Sequence, residues 1–448
     1  MTDWILMPDS IEYVLEVLEQ NGFESYVVGG CVRDALLGKE PADWDVTTNA
    51  LPQQIHQVFK EYPTISTGEQ HGTVSVVIDG EPIEITTFRI EGDYEDHRHP
   101  SSVTFTRSLE KDLSRRDFTI NAMAFHPSTG IVDLFGGIND LQQKQIRAVG
   151  DPMSRFEEDG LRILRGLRFA AQLGFSIESA TETAIVQKKS LLNAISKERI
   201  RDELSKLLCA PHGVSVLRKY SFVIFTILPE LQPMEHFEQN NPHHCFDVWE
   251  HTLHGLEATP PDLILRLAVL LHDSGKPKVY TQDENGIGHF YGHGEESTVI
   301  SKTVLLRLRY DNRTIDQACM LVRHHDLPMQ PEEKWIKRQL RRFGPETFFQ
   351  LLVIHRSDTQ AQSELCQSRL AIVERCESIA RGILDSKSCF QLKDLAINGK
   401  DLIALGIPKG KQIGICLDYL LNLVIDDDAP NEKKALLCFA KQWHQENK

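Results

Sequence analysis

Apolar positions along the chain recur first at helical spacing. Ile11, Val14, Leu15, Val17 and Leu18 fall three and four apart, which predicts an amphipathic helix over 8–20 that Asn21-Gly22 ends. Tyr26-Val27-Val28 is a continuous apolar run and predicts a buried strand. It stops at Gly29-Gly30, where the backbone can turn and approach a ligand with no Cβ in the way. A short helix over 32–37 follows, with Gly38 as its stop. Asp43-Trp44-Asp45-Val46 reads as strand, and acids two apart on a strand share a face. Residues 52–60 predict a helix with proline in its first turn. Over 73–78 and 81–88 the pattern turns β-rich, and Asp79-Gly80 between the two runs predicts a tight hairpin. Ile83 and Ile85 then face one side of the second strand, Glu84 and Thr86 the other. Residues 91–100 are polar and irregular, as a loop should be. The back half of 112–125 reads as buried, and Gly136-Gly137 marks a break. From 155 onwards the periodicity is almost wholly helical, with no second sheet and no internal repeat. The expected class is α+β: a mixed or antiparallel sheet at the N-terminus, then an all-α remainder.

Composition adds few constraints. A chain of 448 residues exceeds what one core usually organises, so several domains are expected. The net charge of −15 argues against a polyanionic partner unless a basic surface is concentrated locally. The nine cysteines show neither CxxC pairs nor zinc spacing, which predicts reduced thiols and a cytoplasmic protein. No apolar run approaches 18 residues, and the N-terminus does not resemble a leader, so neither a membrane span nor a signal peptide is expected.

The candidate chemistry begins at the glycine turn. Asp43 and Asp45 beside Gly29-Gly30 offer hard oxygen ligands next to a backbone turn, a combination suited to a divalent metal holding a triphosphate. Glu84 is a lone carboxylate on a polar strand face and a candidate third ligand. Over 157–170, acids give way to arginines. Asp159 and Arg162 lie three apart on one helix face. Read alone they are an ion pair on a solvated helix; held rigidly, they pair an acceptor with a donor and can read the edge of a base.

Together these motifs resemble the class II tRNA nucleotidyltransferases, the CCA-adding branch of the polymerase β-like superfamily. Gly29-Gly30-Cys31-Val32-Arg33-Asp34 with Asp43-Trp44-Asp45 resembles the first motif. The stretch from Arg89 through Tyr94 and Arg98 to Pro100 resembles the flexible-loop motif. Arg115-Arg116-Asp117-Phe118-Thr119-Ile120-Asn121-Ala122 resembles the motif joining head and neck. Glu158-Asp159-Gly160-Leu161-Arg162 resembles the nucleotide-selecting motif, and Ser196-Lys197-Glu198-Arg199-Ile200 a later neck motif. The resemblance implies a catalytic head (1–137), a nucleotide-selecting neck (138–208), a helical body (209–360) and a tRNA-binding tail (361–448). It also implies template-independent addition of CCA to tRNA from CTP and ATP, with two Mg2+ ions at Asp43 and Asp45 and Glu84 as a further active-site acid. Gly29, Gly30 and Arg33 would hold the triphosphate, and Arg116, Asp117 and Asn121 would place the nucleotide. Asp159 and Arg162 would choose the base, with Arg165 and Arg168 beside them. Bacterial poly(A) polymerases share head and neck, but residues 67–74 resemble the CCA-adding version. An enzyme that adds only A stays open.

A second pattern covers 243–360. His251, His272-Asp273 and Asp358 resemble the H…HD…D ligand set of HD metal-dependent phosphohydrolases, with His293 and His324 as further ligands or phosphate contacts. The resemblance implies one divalent metal of unspecified identity. It leaves open whether the body hydrolyses phosphate esters at tRNA ends or only docks tRNA. If the head only bound tRNA, the chain would instead be an HD phosphohydrolase. The glycine-rich 406–414 stretch, with Lys409 and Lys411, resembles a tRNA-binding tail that grips phosphates; otherwise it is a turn between helices. Lys334, Lys337, Arg338, Arg341 and Arg342 form another basic group, either a tRNA contact or a solvated face.

Overall fold

The computed structural model describes residues 5–66, 68–92 and 103–447. Thr67 and most of the expected flexible-loop motif (93–102) lie outside the described residues. The chain divides into two compact units, Met1–Pro229 and Glu230–Lys448.

The first unit is built on a seven-stranded sheet. Its strands are β1 (Ser25–Val28), β2 (Asp45–Thr48), β3 (Thr64–Ile65), β4 (Thr73–Ile78), β5 (Glu81–Thr87), β6 (Met123–His126) and β7 (Gly130–Asp133). Their order in the sheet is β3-β4-β5-β2-β1-β6-β7. Only β2 and β5 run parallel, and their register sets Asp45 opposite Glu84. The expected hairpin is present: Asp79 (φ 52°) and Gly80 (φ 87°) are both left-handed, the two-residue turn that matches strand twist. On β5, Ile83 and Ile85 are buried and Glu84 is exposed. The helix Asp9–Gln20 turns Ile11, Val14, Leu15 and Leu18 into the core.

Two expectations shift. Asp43 lies just ahead of β2, so the two acids are not a strand i, i+2 pair; the strand begins at Asp45. The back half of 112–125 forms β6, and β7 pairs with it. All four residues of β6 are buried, so no alternation announces it as a strand.

Helices complete the unit. Leu161–Leu173 is the central one, with ten of its thirteen residues buried, among them Arg162 and Arg168. It is therefore not the solvated helix that its charges suggest. Gln145–Ile146 and Ser176–Ile177 add a two-stranded parallel ribbon.

The second unit is helical apart from one short ribbon, Thr281–Gln282 with Gly288–His289. Val248–Ala258, Leu263–Leu271, His293–Arg307, Asn312–Arg323 and Pro345–Gln360 carry the histidine-rich region. One core gathers Ile336, Leu340, Phe348, Leu352, Val373 and Ile383. Another gathers Leu402, Leu420, Leu421, Ile425 and Leu436 near the C-terminus. Each such side chain contributes about 2 kcal/mol on burial. Among the described residues, no helix is long and apolar enough to cross a membrane.

Candidate functional site

Strand β1 delivers the chain to Gly29, whose φ of +87° is a conformation glycine tolerates freely. A Cβ there would lie 3.0 Å from Arg116 Nη1. The Gly29 N–H donates to Met123 O on β6 (3.2 Å), so that amide is committed to the sheet rather than free for a ligand. The helix Gly30–Leu36 follows and carries Arg33. Arg33 donates to both Asp34 oxygens (2.9 Å each) and to Asn121 Oδ1 (2.6 Å). Asn121 Nδ2 donates to Asp117 Oδ1 (3.1 Å), and Arg165 Nε donates to Asp117 Oδ2 (2.8 Å). A hydrogen-bonded chain thus ties the glycine turn to the helix Leu161–Leu173. Burial alone would raise the Asp117 carboxyl; the Arg165 charge and the Asn121 bond outweigh it and hold Asp117 at about 2. Arg168 Nε meets Glu203 Oε2 at 2.5 Å. The Phe169 ring has the guanidinium carbons of Arg168, Arg33 and Arg165 at 3.9, 5.1 and 5.4 Å, within cation–π range.

Asp159 and Arg162 do not form the simple i, i+3 pair. Asp159 Oδ1 accepts from Leu161 N (3.0 Å) and Arg199 Nη1 (3.2 Å); Oδ2 accepts from Arg199 Nη2 (2.7 Å). Arg162 Nη1 donates to Arg155 O (3.0 Å) and Glu158 Oε2 (2.5 Å), and Nη2 donates to Arg115 O (3.0 Å). Each is pinned by partners other than the other. Asp159 Oδ2 keeps a lone pair, and the Arg162 Nε–H and one Nη2–H have no partner among the described residues.

These residues line one cleft of about 760 Å³. Gly29, Gly30, Arg33, Asp43, Asp45, Arg116, Asp117, Asn121, Asp159, Arg162, Arg165 and Arg168 all reach it. Eight arginines and four aspartates face this space, so a basic surface is concentrated here on an acidic protein. Asp43 and Asp45 are exposed, and no hydrogen bond or ion pair engages either carboxylate among the described residues. Desolvation within the cleft raises the Asp45 carboxyl above its ordinary value; Arg116 pulls it down and Asp43 pushes it up further. Unneutralised hard oxygens side by side fit a divalent cation. Glu84 stands apart from the cleft. It lines a second cavity, of about 600 Å³, with Trp44 and the same two aspartates. The three carboxylates are not among the sets of described residues whose ligand atoms all lie within 4.8 Å of one another. Arg199 and Phe169 also line the cleft and were missed as site residues. Arg199 sits in the later neck motif, a signal available in the sequence; Phe169 is an apolar residue in a helical run and carries no such signal.

The second unit gathers its own cluster. His251 comes from the helix Val248–Ala258 and Asp358 from Pro345–Gln360. His272-Asp273 ends the helix Leu263–Leu271. His251 Nε2 lies 2.8 Å from Asp358 Oδ1 and 3.4 Å from Asp273 Oδ2. His272 Nε2 lies 3.2 Å from Asp273 Oδ2 and 3.5 Å from Asp358 Oδ1. Lys276 Nζ stands 2.7 Å from Asp273 Oδ2. Burial opposes charge on His272, but the Asp273 carboxylate overrides it and pushes the imidazole up to about 10. His293 also enters the cluster, but the expected His324 does not: its ring packs on Phe343 at 5.0 Å between centroids. The neighbouring His325 takes that place, because His324 caps the helix Asn312–Arg323 and the chain turns inward one residue later.

Lys409 and Lys411 are exposed beside Gly410, with no ion pair among the described residues. The other basic group is largely spent within the unit. Arg338 pairs with Asp426 (2.5 Å), Arg341 with Asp418 (2.6 Å) and Lys337 with Glu333 (2.7 Å).

Comparison with known proteins gives matches to three families. Residues 25–147 match the poly(A) polymerase head domain family. Residues 174–233 match the family described as a probable RNA- and SrmB-binding site of polymerase A, and 294–440 the putative domain 2 of tRNA nucleotidyltransferase. The chain is 34% identical over 433 residues to the CCA-adding enzyme of Geobacillus stearothermophilus, a match covering 95% of both chains. It is 48% identical over 223 residues to that of Bacillus cytotoxicus, where the match spans 50% of this chain and 56% of the relative. Among solved structures, the Bacillus stearothermophilus CCA-adding enzyme in complex with CTP superposes with a TM-score of 0.73 at 30% identity, covering 99% of both chains.

Proposed function

The chain belongs to the CCA-adding enzymes, and from that membership we propose that it adds CCA to the 3′ end of tRNA from CTP and ATP without a nucleic-acid template. The observation that carries this reading is the single basic cleft in which two open carboxylates meet the Asp159 and Arg162 pair. We assign the four-part division (head 1–137, neck 138–208, body 209–360, tail 361–448) as the working organisation, with the cytoplasm as the site of action.

The tRNA 3′-oxygen attacks the α-phosphorus of the incoming nucleotide, the bond to the β-phosphate breaks, and pyrophosphate leaves. Asp43 and Asp45 would hold two magnesium ions, with Glu84 as a further acid from the second cavity; bound there, the ions would acidify the 3′-hydroxyl and offset charge on the triphosphate. Arg33 and Arg116 hold phosphate oxygens, and the Gly29-Gly30 turn lets the triphosphate approach the backbone. Asp117 and Asn121 keep Arg33 and Arg165 in place, and Arg168 braces Phe169.

Base choice follows from hydrogen-bond polarity. Cytosine and adenine each present an exocyclic amine donor beside a ring-nitrogen acceptor; uracil and guanine present the reverse. Asp159 Oδ2 accepts from the amine and Arg162 donates to the ring nitrogen. An unpaired buried donor or acceptor costs about 1–3 kcal/mol, so U and G are rejected. The test supplies CTP and ATP separately and together to tRNA lacking CCA. C, C and A should be added in order. Extension by ATP alone onto tRNA ending in CC, with none from CTP, would show an A-adding enzyme. Long A tails on unstructured RNA would show a poly(A) polymerase.

The second unit supports a second activity. We infer that His251, His272, Asp273 and Asp358 hold a divalent ion in an HD-type phosphohydrolase site that trims phosphate from damaged tRNA ends. Mixed imidazole and carboxylate donors favour a transition ion. Release of phosphate from a tRNA bearing a 3′-phosphate, lost in His272→Ala, checks it. The Lys409 and Lys411 stretch is assigned to tRNA phosphates.

A further inference from the structure

One fully buried carboxylate of the first unit stands behind the nucleotide cleft. Asp112 lies in the short helix Leu109–Ser114, which Ser108 caps by accepting from Lys111 N (3.3 Å). Arg115 and Arg116 follow it by three and four residues, the spacing that brings side chains over one another at a helix end. Both arginines line the cleft, and Asp112 itself does not reach it.

Each oxygen of Asp112 has its own partners. Oδ1 accepts from Arg115 Nε (3.0 Å) and Nη2 (2.8 Å), and from the Arg89 N–H (3.3 Å). Oδ2 accepts from Thr47 Oγ1 (3.4 Å) and lies 3.5 Å from Arg116 Nη2. Thr47 follows Asp45 by two residues on β2, so the acid is tied to the face of the sheet that carries Asp45. Arg89 opens a ribbon in which Arg89–Glu91 pairs with Val103–Phe105, and Arg89 and Val103 also line the cleft. The root of the ribbon, the sheet and both arginines therefore meet on one carboxylate.

Charge explains why an acid stands there. Burial pulls the Arg116 guanidinium below its ordinary value; Asp112 is the foremost acid opposing that, and the like charge of Arg115 adds to it. Burial alone would raise the Asp112 carboxyl. The charges of Arg115 and Arg116, with the bonds from Arg115 and the Arg89 amide, override it and hold the group below its ordinary value. One acid against two guanidiniums leaves positive charge turned to the cleft, and Arg116 Nε has no hydrogen-bond partner among the described residues. Guanidinium donors held in a fixed pose suit phosphate oxygens, and fixing them beforehand lowers the cost of binding.

We propose that Asp112 is a positioning residue for the incoming nucleotide: it touches no substrate, and it sets the guanidiniums of Arg115 and Arg116 where they hold the triphosphate. The proposal rests on the nucleotidyl-transfer reading above and deepens it. Arg115 joins Arg116 as a phosphate ligand, and the ribbon shares its anchor with both.

The test uses the full chain with Mg2+ and tRNA lacking CCA or ending in CC. Asp112→Asn keeps the shape of the side chain but turns an N–H towards donors on one side. KM for CTP and for ATP should each rise about tenfold, and inhibition by pyrophosphate should weaken by the same factor. KM for tRNA should stay as it is, and so should the preference for CTP over UTP, which share one triphosphate. A merely structural acid would lower kcat through loss of folded protein and leave the nucleotide KM values and the pyrophosphate constant unchanged; that result overturns the proposal. A preference for CTP that falls in step with the rise in KM also overturns it, because the whole site is then disturbed. Where Asp112→Asn fails to fold, Arg115→Gln decides, since that side chain faces the cleft. Weaker binding of CTP, ATP and pyrophosphate is expected, and unchanged constants overturn the proposal. No incorporation of CTP or ATP by the unsubstituted chain would overturn the nucleotidyl-transfer reading and the proposal with it.

Discussion

The two sites use carboxylates in opposite ways. In the first unit, Asp43 and Asp45 are exposed and uncommitted, at the edge of a strand and beside a wall of arginines. In the second, Asp273 is 1% exposed and ringed by imidazoles whose outer nitrogens are tied to backbone carbonyls. An open pair suits chemistry in which large charged substrates arrive, complete the site and leave. A closed, pre-aimed ligand set suits an ion that stays. The arginines of the first unit show the same economy: Arg162, Arg165, Arg168 and Arg199 are each clamped by an acid before any substrate is present, so little side-chain freedom remains to be lost on binding.

The largest effect should separate the sites outright. Asp43→Ala with Asp45→Ala should cut CCA addition about a thousandfold or more, read as incorporated label, while the metal content of the second unit stays the same. Loss of both would mean that the sites are not independent. Next, Arg199→Ala should free Asp159 and reduce discrimination of CTP over UTP by about tenfold to a hundredfold, at about 1.4 kcal/mol per factor of ten. Competition kinetics would show it, and an unchanged ratio would remove Arg199 from base selection.

A third outcome concerns stability. The Asp117 carboxyl sits at about 2 in the folded chain, below its unfolded value of about 3.9. Its stabilising contribution is therefore complete above pH 4 and lost as pH falls through 2. At about 1.4 kcal/mol per unit, roughly 2–3 kcal/mol is involved. Asp117→Asn should be less stable at neutral pH and show a flatter acid limb between pH 4 and 2 in denaturant titrations. An unchanged limb would show that the pair with Arg165 is energetically idle. The smallest effect contrasts two basic groups. Lys409→Ala with Lys411→Ala should weaken tRNA binding and lower the log–log salt slope by about 1.5. Arg341→Ala, whose partner Asp418 lies within the unit, should leave that slope unchanged and alter stability by less than about 1 kcal/mol.

Local patterns were easiest to read where one face is buried and the other is wet. The helix Asp9–Gln20, the hairpin at Asp79-Gly80 and the alternation around Glu84 all followed from periodicity and turn chemistry. Strand β6 was not recognised because it is four residues long and buried throughout, so its side chains show no alternation. His324 was expected where His325 stands, for a related reason: adjacent residues at a helix end point to different sides, and only the path of the chain decides which turns inward. The basic group around Arg338 reads from sequence as either a tRNA contact or a solvated face; the acids that engage it lie 77 and 88 residues away in sequence.

Sequence alone determined which chemical groups this protein possesses and in what order: a glycine turn, two acids, an acid–arginine motif and a run of histidines with an HD pair. Their motifs pointed to the family and to twelve of the residues that line the first cleft, but not to Arg199 or Phe169. Tertiary structure decided the partnerships. It separated Asp159 from Arg162 and gave each a different clamp, set Glu84 on a second cavity, and turned the two oxygens of Asp273 towards two pairs of histidines. Those outcomes depend on ångström-scale distances between residues far apart in the chain, which packing sets and local spacing does not encode.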